Sequence, residues 1–201
     1  MDRVPESNKE FGHITPIEEL GVDWDAVERF ILSPEGRETI ERDDWVYDSI
    51  QYNWATFPEK NFYDIFYQVR EQFFDKKEEI GVDTSIPHMF HGWVNIFEKG
   101  DRIGWHSHCS NVSPHMFHGV VVVNASGDSY TEYRDQNKEI IHTIPSKQGC
   151  GHIISDMLTE HRSSPNESEH PRITLAFDIL GFHNWWENWN TPVGNQYVPF
   201  C

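Results

Sequence analysis

The chain has 201 residues, 37% hydrophobic and 14% aromatic, enough apolar material for the core of one domain and too much for wholesale disorder. Its 33 acidic against 16 basic residues give a net charge of −17, which excludes DNA, RNA or an anionic membrane surface as a general partner. Residues 1–85 carry 21 of the acids and 9 of the bases, whereas eleven of the twelve histidines fall between His88 and His183. An acidic N-terminal region therefore precedes a histidine-rich remainder.

Three cysteines, Cys109, Cys150 and Cys201, lack any CxxC spacing and fit a reducing compartment better than a disulfide framework. The charged first thirty residues contain no apolar run of the kind a signal peptide needs. The longest aliphatic run, residues 120–123, is far too short to cross a bilayer. A cytoplasmic protein is expected.

In chain order, Thr15-Pro16-Ile17-Glu18 has the form of a capping box with proline at the first helical position, and predicts a helix start. Asp23 can cap a second helix whose Trp24, Val27, Phe30 and Ile31 share a face. Ser33-Pro34 opens a third, ending near Arg42, and the aromatic-rich stretch 45–57 reads as extended. From Asn61 to Ile80, Phe62, Ile65, Phe66, Val69 and Phe73 recur at helical spacing, with Gly81 as the stop. Residues 1–85 thus form an acidic, mainly helical region.

Beyond Gly81 the period becomes two. Candidate strands are 88–97, 103–108, 117–124, 129–134, 139–144, 150–156 and 172–180, separated by turn sequences such as Lys99-Gly100 and Gly127-Asp128. Short strands without intervening helices indicate a mainly β fold, a sandwich or jelly roll. The hexapeptide Pro87-His-Met-Phe-His-Gly92 recurs at residues 114–119, too short to define a repeat architecture and expected to be a coincidence of two similar strand entries. Residues 163–170 read as a polar loop, and the aromatic tail, residues 182–201, is expected to pack on the core.

The chemistry centres on residues 100–108, Gly-Asp-Arg-Ile-Gly-Trp-His-Ser-His. On an extended chain His106 and His108 project to the same side and can address one metal ion, which needs a third ligand from elsewhere. His161 lies fifty-three residues on from His108. Eleven residues later, Arg172, Thr174, Ala176 and Asp178 alternate with Ile173, Leu175, Phe177 and Ile179. An arginine with a hydroxyl two residues on is suited to holding a dicarboxylate, the guanidinium taking one carboxylate in a fork.

This arrangement resembles the Fe(II)- and 2-oxoglutarate-dependent oxygenase superfamily, and within it the oxygenases of bacteria and phages whose first motif is HxH. The likeness covers residues 93–178 and rests on Trp93-Val-Asn95, Gly100 to His108, the strand opening at Gly119, Pro145 to Gly149, His161 and Arg172-Ile-Thr174. It implies a double-stranded β-helix (jelly-roll) core over residues 86–181, with the N-terminal helices packed against it in a single domain. It further implies Fe(II) on His106, His108 and His161, and 2-oxoglutarate held by Arg172 and Thr174 with Asn95 beside them. The implied reaction oxidises a small-molecule or peptide substrate and releases succinate and CO2.

The departure from the superfamily is His108, which stands where a carboxylate is usual. Asp156 and Glu160 are the nearest carboxylates to His161 in sequence and are candidates to replace it, and a second register would put Ser110 in the carboxylate position. Asn95, His118 and Asn124 are placed to face the barrel interior. Two alternatives stay open: a cupin-type dioxygenase or isomerase using His152 in place of His161, and a non-enzymatic jelly-roll module whose histidines hold zinc or nothing.

Overall fold

The structure, a computed structural model, describes residues 13–108, 115–125, 127–155, 158–188 and 196–200. Elements follow in the order β1 (Ile14–Ile17), α1 (Trp24–Leu32), α2 (Pro34–Arg37), β2 (Glu41–Arg42), β3 (Tyr47–Asp48), a 3₁₀ turn (Trp54–Thr56), α3 (Lys60–Asp75) and α4 (Lys77–Ile80). Then come β4 (His88–Phe97), β5 (Met116–Asn124), β6 (Tyr130–Arg134), β7 (Ile140–Pro145), β8 (Gly151–Ile154), β9 (Glu160–Ser163), β10 (Arg172–Gly181), α5 (Phe182–Asn188) and β11 (Val198–Pro199).

Two antiparallel sheets face each other. The larger runs β1-β8-β5-β10-β4-β3-β2, with β11 also paired to β4, and the smaller runs β7-β6-β9. This is the jelly roll that the strand pattern indicates. β10 shows how period two sorts its residues. Ile173, Leu175, Phe177 and Ile179 are fully buried and join the core formed with the helices, while Arg172, Thr174 and Ala176 line a cavity on the opposite face.

The helix layer forms as its sequence dictates. The Asp23 side chain accepts from the Ala26 N–H at 3.0 Å, capping α1, and Val27 and Ile31 bury one turn apart. On α3, Phe62, Ile65, Val69 and Phe73 are fully buried against the large sheet, and Gly81, with φ 71°, ends α4 in the left-handed conformation that glycine adopts without penalty.

Several expectations are corrected. Residues 14–17 are a strand, not a helix start: they pair with β8 at the sheet's edge, where Thr15 and Ile17 alternate inward. On an edge strand Pro16 costs no ladder bond, so pairing overrides the capping signal. The third helix stops at Arg37 rather than Arg42, because residues 41–42 turn back in a hairpin with β3. Within 45–57 only residues 47–48 are strand, and Trp54–Thr56 coil into a turn capped by the Asn53 side chain.

Residues 103–108 form no regular strand. His106 makes an isolated two-bond bridge to His161, and the Ser163 N–H donates to the Ile103 carbonyl, so the segment lies beside β9 as an irregular edge of the small sheet. β9 itself gave no apolar signal. It is held by cross-strand charges, Arg162 to Glu132 at 2.6 Å and Arg134 to Glu160 at 2.7 Å, on the face opposite His161. The sheet also extends beyond residues 86–181, recruiting β1, β2, β3 and β11. In the tail Phe200 is buried among Phe66, Phe73 and Phe90, and residues 189–195 lie outside the described residues.

The hexapeptide repeat has a structural meaning. Its two copies flank β10 in the same register, so that Met89 and Met116 face Leu180, Phe90 and Phe117 face Ile179, His91 and His118 face Asp178, and Gly92 and Gly119 face Phe177. Both glycines are required by close approach. A Cβ on Gly92 would lie 2.2 Å from Trp54 Nε1, and one on Gly119 2.2 Å from the tip of the Phe177 ring.

Candidate active site

Between the two sheets lies a cavity of about 260 Å³, at the small end for a ligand site. Its walls carry the six residues that the resemblance assigns to metal and co-substrate, His106, His108, His161, Asn95, Arg172 and Thr174.

At one end the irregular segment 103–108 brings His106 and His108 against His161 of β9. One ring nitrogen from each lies within 4.8 Å of the other two, a spacing that a single metal ion can bridge. His106 and His161 rings are 4.2 Å apart, centre to centre, and His108 stacks 5.0 Å from His161. His106 Nδ1–H donates to the Gly104 carbonyl at 2.9 Å, which leaves Nε2 as the ring nitrogen with a lone pair to offer a metal. His108 Nε2 is buried and has no hydrogen-bond partner among the described residues.

Burial, reinforced by the neighbouring His118, His106 and His108 rings, holds His161 well below the usual histidine range. Burial and then the adjacent His108 lower His106 in the same sense. Near neutral pH both are therefore uncharged imidazoles, the protonation state that ligates metals. Trp45 packs on His106 at 5.6 Å, and Trp105 is clamped between the Arg134 and Arg162 guanidinium groups at 4.2 and 4.7 Å.

At the other end Arg172 is 2% exposed. Its Nη groups donate to the Ser164 hydroxyl and carbonyl, each at 2.9 Å, its guanidinium carbon lies 4.0 Å from the centre of the Phe97 ring, and Nε has no partner among the described residues. Among the described residues no carboxylate pairs with it, and burial pushes it down to about 10. Beside it Asn95 and Thr174 are opposite each other in the β4–β10 ladder, with Asn95 Nδ2 and Thr174 Oγ1 3.5 Å apart.

No protein-family model matches the sequence, and a search of curated proteins finds no relative. Solved structures do match in fold. The non-heme alpha ketoglutarate dependent epimerase SnoN from nogalamycin biosynthesis superposes with a TM-score of 0.63 at 10% identity, over 85% of this chain and 78% of that one. The viral collagen prolyl hydroxylase vCPH from Paramecium Bursaria Chlorella virus-1, solved as a 2OG complex, gives 0.61 at 16% identity, over 84% and 96%. A prolyl-4-hydroxylase from Pseudomonas putida gives 0.57 at 15%, over 85% and 93%.

The fold is that of the 2-oxoglutarate-dependent oxygenases. The epimerase is also known in complex with Fe3+, alpha ketoglutarate and nogalamycin RO.

Within this oxygenase-type jelly roll, some expectations change. Glu160 points away from the three histidines and pairs with Arg134 and Lys138, because His161 takes the inward position of its strand. Asp156 and Ser110 lie outside the described residues. Asn124 does not face the cavity: it donates to Glu28 of α1 at 2.7 Å and accepts from the Ile173 N–H at the sheet's register shift. His152, the alternative ligand of the cupin register, has its Nε2 2.7 Å from the buried Tyr133 hydroxyl, and its ring nitrogens do not join the His106–His108–His161 group.

The residues missed in sequence are Tyr133 and Asp178. Tyr133 stacks on His161 at 5.3 Å and bonds His152, fixing both rings. Asp178 accepts from His118 Nδ1–H at Oδ1, 2.9 Å away, and from His108 Nδ1–H at Oδ2, 3.3 Å away. Burial alone would favour its protonated form, but the two imidazoles outweigh it and hold the carboxyl well below the ordinary carboxylate range. The alternation from Arg172 already puts Asp178 on the same face as Arg172 and Thr174, whereas the hexapeptide repeat reads in sequence as a coincidence and only the register sets His91 and His118 opposite Asp178.

Proposed function

We propose that this chain is an Fe(II)- and 2-oxoglutarate-dependent oxygenase, with the metal on His106, His108 and His161 and the co-substrate's distal carboxylate on Arg172, Thr174 and Asn95. One observation carries the proposal: a single cavity holds a cluster of three imidazoles at one end and, at the other, a buried arginine with no counter-anion among the described residues.

A guanidinium withdrawn from water is costly unless paired, and a bound carboxylate relieves that cost. Imidazole donors suit Fe(II), and the buried, unpartnered His108 Nε2 is an orphan that a metal satisfies. When bound, iron with 2-oxoglutarate supplies oxidising power from O2, with succinate and CO2 released. The protein's residues orient and shield. Arg172 and Thr174 fix the far end of the dicarboxylate, Tyr133 and Gly104 fix the His161 and His106 rings, and Trp93 covers His108 at 5.7 Å. A cavity of about 260 Å³ suits a small acid, so the primary substrate, a small molecule or peptide, enters at its mouth. Among the described residues no helix is long and apolar enough to cross a membrane.

The test is spectroscopic. Under anaerobic conditions, Fe(II)-loaded protein should develop a weak metal-to-ligand charge-transfer band on addition of 2-oxoglutarate, and in air it should form succinate slowly without primary substrate. Absence of both rejects the assignment.

A further inference from the structure

Three neutral imidazoles leave a divalent centre one negative charge short of the two-histidine, one-carboxylate set usual for non-heme iron. Asp178 sits next to that shortfall. It is an inward-facing residue of β10, its side chain only 13% exposed, and it accepts Nδ1–H bonds from His108 and from His118. Among the described residues no lysine or arginine pairs with it, so its charge is met by imidazoles alone. The rung of the ladder is completed on its other side by His91, buried between Trp93 and Tyr197. Because His108 Nδ1 faces the carboxylate, its Nε2 is the nitrogen left for a metal, and that atom is buried with no partner among the described residues.

Resting on the proposed metal centre, we infer that Asp178 is its anion: a positioning residue that acts through His108, fixing the Nδ1–H tautomer and supplying the missing negative charge one side chain removed from the ion. Its hydrogen bond raises the basicity of His108 Nε2, the effect that carboxylates exert on ligating histidines elsewhere. His118 is the second tether. It holds the other side of the carboxylate so that Asp178 stays turned toward His108, and its ring lies 3.8 Å from the His108 ring. Asp178 thus does the electrostatic work of the absent ligand while the third coordination position belongs to a histidine.

The experiment compares Co(II) binding to wild type and Asp178→Asn. The expected result is a loss of affinity of about 10- to 100-fold, with the ligand-field band positions unchanged because the ligands are the same. Equal affinity overturns the role of Asp178. Loss of binding as complete as in His161→Ala, with altered bands in any residual complex, also overturns it, by making Asp178 a direct ligand. Wild-type protein that binds neither Co(II) nor Fe(II) instead overturns the metal centre, a distinguishable failure. Should the asparagine variant not fold, ¹⁵N NMR of wild-type protein loaded with Zn(II) decides: His108 must retain Nδ1–H and ligate through Nε2, and ligation through Nδ1 refutes the inference.

Discussion

Replacing Arg172 with methionine should separate binding from stability. The guanidinium is 2% exposed, and its fall from 12.5 to about 10 corresponds to about 3 kcal/mol acting against the charged form in the fold. Against that relief, the variant loses two hydrogen bonds to Ser164, in a class worth about 1.5–3 kcal/mol for charged donors, and the contact with Phe97. These contributions oppose one another, so the ligand-free variant should lie within about 3 kcal/mol of wild type. Affinity for 2-oxoglutarate behaves differently. Removing one partner of a buried, hydrogen-bonded charge pair costs about 2–5 kcal/mol, roughly 30- to 4,000-fold in Kd. Anaerobic thermal unfolding of Fe(II)-loaded protein, with and without 2-oxoglutarate, reads both quantities. At a hundred times its Kd the ligand stabilises wild type by about 2.7 kcal/mol, and at that concentration it should stabilise Arg172→Met by less than about 1 kcal/mol. A variant several kcal/mol less stable that kept its full response to 2-oxoglutarate would refute the reasoning and make Arg172 a purely structural residue.

His161→Ala should lose stoichiometric iron while His152→Ala keeps it; the opposite pattern, read by metal analysis after desalting, would restore the cupin register. His91 and His152 are held by burial at about 4 and about 3, so the unfolded chain binds protons there more readily than the fold does. Their contribution to stability is therefore present above about pH 6.5 and falls by about 1.4 kcal/mol per histidine per pH unit down to the folded values. Urea unfolding at pH 7, 6 and 5 tests this, and a flat profile contradicts it. Gly119→Ala drives a methyl to within 2.2 Å of the Phe177 ring and 2.9 Å of the His152 carbonyl, so a loss of about 1–3 kcal/mol or more is expected, and an unchanged melting temperature would mean that the sheet yields there.

How far the sequence could be read depends on which force decides each element. α3 and β10 carry full apolar faces, and their periodicity alone placed them. The cavity-facing side of β10 was equally legible, and with it Arg172 and Thr174. By contrast, β1 is settled by an edge pairing with a strand about 140 residues away, which no local capping signal can report. β9 has four polar residues and is held by charges on β6, so nothing in its own sequence marks a strand although it carries His161. Asp178 was visible as a residue on the right face, but its role depends on His108 and His118 arriving from two other segments. The repeat at 87–92 and 114–119 was visible too, and only the shared register along β10 explains it.

The attachment of β9 has a consequence for ionic conditions. Arg134–Glu160 is partly exposed, whereas Arg162–Glu132 has its carboxylate buried, so salt reaches the first pair more fully than the second. At 1 M ionic strength the screening length shrinks to about 3 Å, and a pair of the first kind, worth about 0.2–1 kcal/mol, loses most of its effect. The large sheet, held by its apolar core, is insensitive to such screening. A strand that presents a candidate metal ligand inward is thus tethered outward in part by the most salt-sensitive class of contact, and local opening of this corner separates from global unfolding. Amide exchange at residues 160–163 should quicken with added salt while exchange along β10 does not, and equal rates at both would show that the two sheets open together.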